Sequence, residues 1–116
     1  MKDETNIIRV KSKAFAVRII RLVQNLQKEQ QEYVLSNQIK KSGTSIGANV
    51  RESKNAQSRA DFINKLQIAL KESDETEYWL ELLFETNYID EALFQSLISD
   101  NKELTAILTS IIKSTK

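Results

Sequence analysis

Apolar residues recur along the chain at steps of three and four residues, which place side chains on one face of an α-helix. The first such stretch covers about residues 6–28. Its apolar stripe consists of Phe15, Ile19, Leu22 and Leu26. The run from Lys28 to Glu32 contains no apolar residue and predicts the end of this helix. The pattern therefore predicts an amphipathic first helix with one buried face.

The second predicted helix, about residues 36–55, presents three different stripes. Ser36 is its predicted N-cap, because a serine hydroxyl accepts well from an unpaired backbone amide. The apolar stripe consists of Ile39, Gly43, Ile46 and Val50. The polar stripe beside it consists of Gln38, Ser42, Ser45 and Asn49. The basic stripe opposite the polar one consists of Lys40, Arg51 and Lys54, with Gly47 on the same side. Gly43 predicts an unusually close contact with a neighbouring helix.

Two further helices follow, and both are predicted to be longer than the first two. The third begins at Ser58, with Asp61 as its capping partner, and continues to about Thr86. Its seam consists of Phe62, Leu66, Ala69, Ser73, Thr76, Leu80 and Leu83. The fourth begins after Asp90, the predicted N-cap, between the staple residues Ile89 and Phe94. Its stripe consists of Leu97, Leu104, Leu108 and Ile111.

Four amphipathic helices with short connections predict an all-α, antiparallel up-down four-helix bundle. The 116 residues are enough for one domain, which we place at residues 1–116. The chain contains no proline and only two glycines, so it has few residues for tight turns. No segment approaches the ~20 apolar residues that cross a bilayer. We therefore expect a cytoplasmic protein without a membrane partner.

Composition removes most catalytic chemistry. The chain has no cysteine and no histidine, which excludes disulfides, thiol nucleophiles and Ser-His-Asp triads. We expect a protein that is not an enzyme and has no cofactor, bound metal or small-molecule substrate. The carboxylate ladder Glu77, Glu81 and Glu85 leaves one alternative, a Mg²⁺-dependent nuclease. Bundles with two metals use Glu-x-x-His pairs, which this chain lacks.

Charge is divided between the two halves of the chain. Residues 1–59 contain twelve Lys and Arg against five Asp and Glu, a net charge of +7. Residues 60–116 contain five against eleven, a net charge of −6. The candidate nucleic-acid-binding residues are Lys11, Lys13, Arg18, Arg21, Lys40, Lys41, Arg51, Lys54 and Arg59. The alternative is that these side chains form an ordinary solvated face.

Motifs in the second and third helices resemble a known family. The matching residues of the second helix are Gln38, Ile39, Lys40, Lys41, Ser42, Ser45, Ile46, Asn49, Val50 and Glu52. Those of the third are Phe62, Ile63, Leu66, Ile68, Ala69 and Ser73. This pattern is similar to that of the four-helix-bundle proteins encoded in intervening sequences of bacterial 23S rRNA genes. Relatives of that family include the accessory variability proteins of diversity-generating retroelements. Gly47 stands where the family has proline, and Ser53 stands where it has glycine.

The resemblance implies a homo-oligomeric ring, typically a pentamer, and a connection to nucleic acid through genomic context. Its polar motif here consists of Gln38, Ser42, Ser45, Asn49 and Glu52. These groups either touch RNA or bond across a contact between helices or subunits. Residues 73–92 contain no Lys or Arg beside the acidic ladder. We therefore predict that Glu77, Glu81, Glu85 and Trp79 lie at a subunit contact, supported by surplus apolar residues such as Ile20, Val23 and Phe84.

Two functions remain open at this point. The first is a non-enzymatic, oligomeric bundle that binds RNA, DNA or a ribonucleoprotein partner, such as a reverse transcriptase, through its basic first half. The second is a protein-interaction scaffold whose charges serve only self-assembly. Salt-dependent retention of nucleic acid separates the two.

Overall fold

Four α-helices make up the part of the chain that the structure describes. This computed structural model describes the backbone of residues 2–115 and the side chains of residues 4–115. The helices are α1 (Lys2–Gln30), α2 (Val34–Ser53), α3 (Arg59–Glu85) and α4 (Glu91–Thr115). Residues 2–115 contain no β-strand, so the all-α prediction is confirmed for them. The prediction that the third and fourth helices exceed both others is wrong, because α1 is the longest at 29 residues. The first residues of α1 are polar, so the apolar pattern did not predict that the helix begins before residue 6.

Each helix packs against two others. Helix α2 contacts α1 and α3, and α4 contacts α3 and α1, so the four helices enclose one core. At 1.5 Å per residue α1 spans about 44 Å, which matches the longest dimension of the molecule, 44 × 22 × 19 Å. The molecule is therefore a four-helix bundle one helix long. No helix within residues 2–115 combines the length and apolar character that spanning a membrane requires.

The core is built from the predicted stripes. All four residues of the α1 stripe are buried, and Ile39, Ile46 and Val50 of α2 face them. On α3 the seam is buried from Leu66 to Leu83, while Phe62 packs at its edge. All four predicted residues of α4 are also buried. Val23 lies in this core, with 4% of its surface exposed, and is therefore not surplus apolar surface.

Side-chain caps begin α2, α3 and α4, and those of α3 and α4 are the predicted ones. The Ser58 hydroxyl accepts from the Asp61 N–H at 3.0 Å, and Asp90 Oδ1 accepts from the Leu93 N–H at 2.8 Å. The predicted N-cap Ser36 is wrong, because α2 already begins at Val34. The Glu32 carboxylate accepts from the N–H groups of the first three residues of α2 at 2.7–3.1 Å. A longer side chain placed before the helix thus satisfies the free donors.

Helices α1 and α2 approach each other through their backbones. A Cβ on Gly43 would lie 2.9 Å from Cγ1 and Cγ2 of Ile19. One helical turn further on, a Cβ on Gly47 would lie 3.3 Å from the Ser12 carbonyl oxygen. Ile19 is fully buried and Ser12 is 1% exposed. The two glycines therefore set the distance between these helices, as the glycine in the apolar stripe predicts.

Helices α3 and α4 are joined by a polar layer, which we define as the buried residues Ser42, Ser73, Thr76 and Asn101 and the half-buried Thr105. Ser73 Oγ donates to Asn101 Oδ1, and Asn101 Nδ2 donates to the Ser73 carbonyl, both at 2.9 Å. Ser73 Oγ also lies 2.9 Å from Thr105 Oγ1. The Thr76 hydroxyl donates to Ser42 Oγ at 2.9 Å, which extends the layer to α2. Because each bond needs its partner at the same height, the layer fixes the register of α2, α3 and α4.

Two helix ends have left-handed residues. Asn87, with φ 68°, follows α3, and the Tyr88 N–H donates to the Leu83 carbonyl at 2.9 Å in a Schellman-type closure. Gln31, with φ 49°, follows α1. Helix α2 ends without such a residue, in a series of bonds from Lys54, Asn55 and Ala56 to carbonyls three residues earlier. Ser53, at the family's glycine position, is buried and bonds the Val50 carbonyl at 2.6 Å.

Candidate nucleic-acid interface

The polar motif of α2 lies on its α3-facing side. Ser42 is buried and accepts from Thr76, as described above. The half-buried Ser45 and Asn49 bond backbone carbonyls of α2 itself, at 2.6 and 2.8 Å. Glu52 pairs with Lys65 of α3 at 3.2 Å. Gln38 is exposed. Four of these five side chains thus bond within the bundle, which favours a packing role for the motif.

Two of the predicted basic residues are neutralised by α4. Arg18 Nη1 lies 2.6 Å from Asp100 Oδ2, and Nη2 donates to Ser96 Oγ at 3.1 Å. Lys11 Nζ lies 3.0 Å from Glu103 Oε2. These pairs join the basic and acidic halves inside one chain, across more than eighty positions of sequence. They are also partly exposed, so each contributes ~0–1 kcal/mol. Arg18 and Lys11 are therefore poorly available to an anionic partner.

The remaining predicted cations are exposed: Lys13, Arg21, Lys40, Lys41, Arg51, Lys54 and Arg59. None of these seven forms an ion pair within 4.0 Å with a described side chain. Lys41 lies near the half-buried carboxyl of Glu72. Burial and the neighbouring Glu75 raise the pKa of Glu72, and the charges of Lys71 and Lys41 oppose that rise. Lys41 therefore belongs to the α3 side of α2 rather than to the α1 side.

The other cations of α2 gather along its boundary with α1. Gly47 contacts Ser12, so Lys13 and Arg51 lie within about one turn of that contact. Lys40 and Lys54 share the same side of α2 by helical spacing. Arg9, one turn before Lys13, is exposed and only donates to Asn6 Oδ1 at 3.4 Å. We call Arg9, Lys13, Lys40, Arg51 and Lys54 the basic edge.

Arg9 was missed by the sequence analysis, although the four-residue step between Arg9 and Lys13 places both on one helix face. Arg21 lies on the outer face of α1, and Arg59 is the first residue of α3. The structure therefore does not bring all nine predicted cations together. Four of them, Lys13, Lys40, Arg51 and Lys54, lie together with Arg9 on the basic edge. The other five predicted cations lie elsewhere on the surface.

The acidic ladder lies on α3, away from the basic edge between α1 and α2. Glu77 and Glu81 are half-buried and Glu85 is exposed. None of the three forms an ion pair within 4.0 Å among residues 4–115. Nor do His, Cys, Asp and Glu side chains in the described residues gather into any group of three that could hold a metal ion. The ladder thus remains a row of like charges without an ion-pair partner among the residues whose side chains the structure describes.

Trp79 and Tyr78 point in different directions, as neighbours on a helix must. Trp79 packs against the core at its edge, and its Nε1 is shielded from solvent without a hydrogen-bond partner among the described residues. Tyr78 is 53% exposed, and the two rings meet edge to face at 5.1 Å. Phe84 stacks on Phe94 of α4 at 4.5 Å. Trp79 and Phe84 thus bury much of their apolar surface against residues of their own chain.

Comparison with known proteins places this architecture in context. The chain matches the model of the family described as 23S rRNA-intervening sequence protein over residues 4–110. It is also similar to a crystal structure of a protein of unknown function from the S23 ribosomal protein family of Bacteroides thetaiotaomicron VPI-5482. The two share 57% identity with a TM-score of 0.94, covering 95% of this chain and 98% of the other. No curated protein matches the chain.

Proposed function

The chain belongs to the family of 23S rRNA-intervening sequence proteins, and we propose that it binds the backbone of a nucleic acid, without catalysis, through the basic edge. The observation that carries this proposal is the contrast among its cations. Lys11 and Arg18 are paired with α4, whereas the five residues of the basic edge form no ion pair among the described residues. Unpaired surface cations along one edge are suited to phosphate groups.

The basic edge favours binding that tolerates any sequence. Its cations project from two helices, and among the described residues a single exposed aromatic ring, that of Tyr33 seven residues before Lys40, lies on their side of α2, which gives base stacking little support. Contacts of this kind orient a nucleic acid without distinguishing its bases. We propose RNA or DNA, alone or within a ribonucleoprotein such as a reverse transcriptase complex, as the partner, in the bacterial cytoplasm where such complexes lie.

We also propose that the helices run antiparallel and that copies of the chain assemble into a closed ring, most simply a pentamer. Connections of three, five and five residues support the antiparallel order, because they are too short to return along a helix. The contacts of Gly43 with Ile19 and Gly47 with Ser12 support it for α1 and α2, since residue numbers rise on one helix as they fall on the other. The ring is what the family resemblance implies.

The second candidate function is a scaffold whose charges serve only self-assembly. The carboxylates of the α3 ladder and the cations of the basic edge are both unpaired among the described residues, and they lie on different sides of the bundle. This arrangement favours a scaffold, because the acidic side of one copy can meet the basic side of another. A scaffold would show no salt-dependent retention of RNA or DNA.

The test replaces three cations of the basic edge, Lys40→Gln, Arg51→Gln and Lys54→Gln, in one variant. We expect weaker binding to every RNA and DNA oligonucleotide tried, because the lost contacts are with phosphates. The slope of log K against log salt should become shallower by about two to three, since each lost phosphate contact releases about one counterion fewer. Fluorescence anisotropy across a salt series measures both quantities.

The matched control is Lys28→Gln, Lys102→Gln and Lys113→Gln, which removes the same charge from exposed positions on α1 and α4 outside the basic edge. This control should keep most of the parent's affinity and slope. Equal loss in both triple variants would mean that only net charge matters. Equal affinity and slope for the basic-edge variant and the parent would remove the proposal and leave the scaffold.

A further inference from the structure

Helix α1 carries a second apolar seam that faces away from its own core. Ile7, Val10 and Val17 are 42%, 69% and 43% exposed, and the small, exposed Ala14 lies between the two valines. Their spacing of three, four and three residues is that of a heptad seam. The buried stripe of α1 occupies the opposite face. We call Ile7, Val10, Ala14 and Val17 the outer seam.

A groove lies between α3 and α4, on a different side of the bundle. It has a volume of about 460 Å³ and includes the apolar side chain of Leu70 and the hydroxyls of Thr105 and Thr109. Gln67, Lys71, Asp74 and Glu77 line it as well, and Glu81 follows one turn further along α3. A groove between two helices with an apolar floor is a shape that accepts the ridge of a third helix.

The charges beside the outer seam and those in the groove are complementary. Lys13 and Arg21 flank the outer seam, and neither is paired with a described carboxylate. Asp74, Glu77 and Glu81 are likewise unpaired among the described residues, and they outnumber Lys71, the cation in the groove lining. Contact of the outer seam with itself would instead bring like charges together, which disfavours a two-fold pairing.

We propose that the outer seam of one copy of this chain docks in the α3–α4 groove of a second copy. This inference rests on the proposed self-assembly and names the two surfaces that carry it. The apolar residues supply the contact area, while Arg21 against Asp74 and Glu77 sets the orientation. Because the two surfaces differ, each copy presents one of each, and such head-to-tail contacts generate rings.

The first experiment changes the outer seam with Val10→Glu and Val17→Glu together. Both positions are exposed, so the helix should stay folded, while the new carboxylates would repel the acidic groove. We expect native mass spectrometry and light scattering at micromolar concentration to show complete loss of the oligomer to the 13.3 kDa chain. The matched control is Val34→Glu, at a valine that is 74% exposed on α2 and should leave the oligomer unchanged.

The second experiment tests which surfaces meet. A groove variant, Asp74→Lys with Glu77→Lys, retains an intact outer seam, and the seam variant retains an intact groove. Each variant alone should be monomeric, with the helical circular dichroism of the parent. Mixed one to one, they should associate again to at least twice the chain mass, because one intact pair of surfaces remains and the new carboxylates of one variant match the new lysines of the other.

Three results would overturn the inference. A seam variant with the parent's oligomeric mass would show that copies meet elsewhere. A groove variant that still forms the parent's oligomer would show that the outer seam pairs with itself or with another surface. A parent that is monomeric would overturn the docking and the ring together. Nucleic-acid binding would still be decided by the basic-edge variant, which changes neither the outer seam nor the groove.

Discussion

The α1–α2 pair and the α3–α4 pair are held together in opposite ways. Both consist of helices joined by short connections, and both connections contain a residue with positive φ. Between α1 and α2 the contact depends on the missing side chains of Gly43 and Gly47. Between α3 and α4 it includes hydrogen bonds among Ser73, Asn101 and Thr105. One pair is specified by shape and the other by the pairing of polar groups.

The two contacts together give the bundle both close packing and a fixed register. Glycine contacts permit a close approach, but apolar surfaces tolerate small slides along the helix axes. Buried polar groups that bond each other tolerate none, because a slide leaves donors and acceptors without partners at a cost of about 1–3 kcal/mol each. Helix α2 touches both systems, through Gly43 on one side and Ser42 on the other. Substitutions in the two helix pairs and in their connections test this contrast.

The largest effect is expected for Gly43→Leu. Even a Cβ at this position would lie 2.9 Å from Ile19, so a leucine must push α1 and α2 apart. We expect a loss of about 1–3 kcal/mol in the free energy of unfolding, as for other overpacked cores. Urea denaturation followed by circular dichroism measures the change.

Gly47→Ala is the matched control on the same helix. Its Cβ would lie 3.3 Å from the Ser12 carbonyl oxygen, which is tight but needs only a small adjustment, and alanine is the better helix former. Its free energy of unfolding should change by less than that of Gly43→Leu. An unchanged denaturation midpoint in Gly43→Leu would show that shape does not specify the α1–α2 pair.

The next effect is expected for Asn101→Ala in the polar layer. The substitution removes two hydrogen bonds with Ser73 and leaves a small buried space. The expected loss is about 2 kcal/mol, within the range for a buried polar group that loses its partner. Thermal denaturation of the parent and the variant provides the comparison.

A double variant, Ser73→Ala with Asn101→Leu, separates bonding from burial. It removes the Ser73 hydroxyl and fills the space of the amide with apolar atoms, so part of the lost stability should return. If Asn101→Ala were as stable as the parent, the polar layer would not hold α3 and α4 together.

The smallest effects are expected in the two connections. Gln31 has φ 49°, where a side chain is strained, so Gln31→Gly should stabilise the fold by about 0.5–1 kcal/mol. Asn87, with φ 68°, already has the side chain that tolerates this conformation best, so Asn87→Gly should be close to neutral. Paired urea titrations measure both, and a gain at Asn87 equal to that at Gln31 would contradict the distinction.

Local patterns predicted the core and two of the helix starts. The stripes of α1 and α4 are buried as their spacing requires, and Ser58 and Asp90 act as caps because capping involves residues only three apart. The glycine contact was also predictable, since Gly43 stands within an apolar stripe. Each of these features is determined by neighbours in sequence.

Other features depend on distances that periodicity does not encode. No pattern of neighbouring residues predicts that Arg18 pairs with Asp100 or that Lys11 pairs with Glu103. The sequence therefore predicted more cations for nucleic-acid binding than the structure leaves unpaired. Ser36 looked like a cap, but the longer carboxylate of Glu32 reaches the same backbone amides from outside the helix. The joining of Ser73 to Asn101 likewise follows from the packing of α3 on α4.

Trp79 gives the protein an optical reporter of its own. It is the single tryptophan of the chain, and its indole nitrogen is shielded from solvent at the edge of the core. An indole in dry surroundings emits at shorter wavelength than one in water, so exposure of this ring shifts the emission to the red. Trp79 follows Thr76 by three residues and therefore shares the α2-facing side of α3. Its fluorescence therefore reports, without any added dye, whether this ring stays packed against the core.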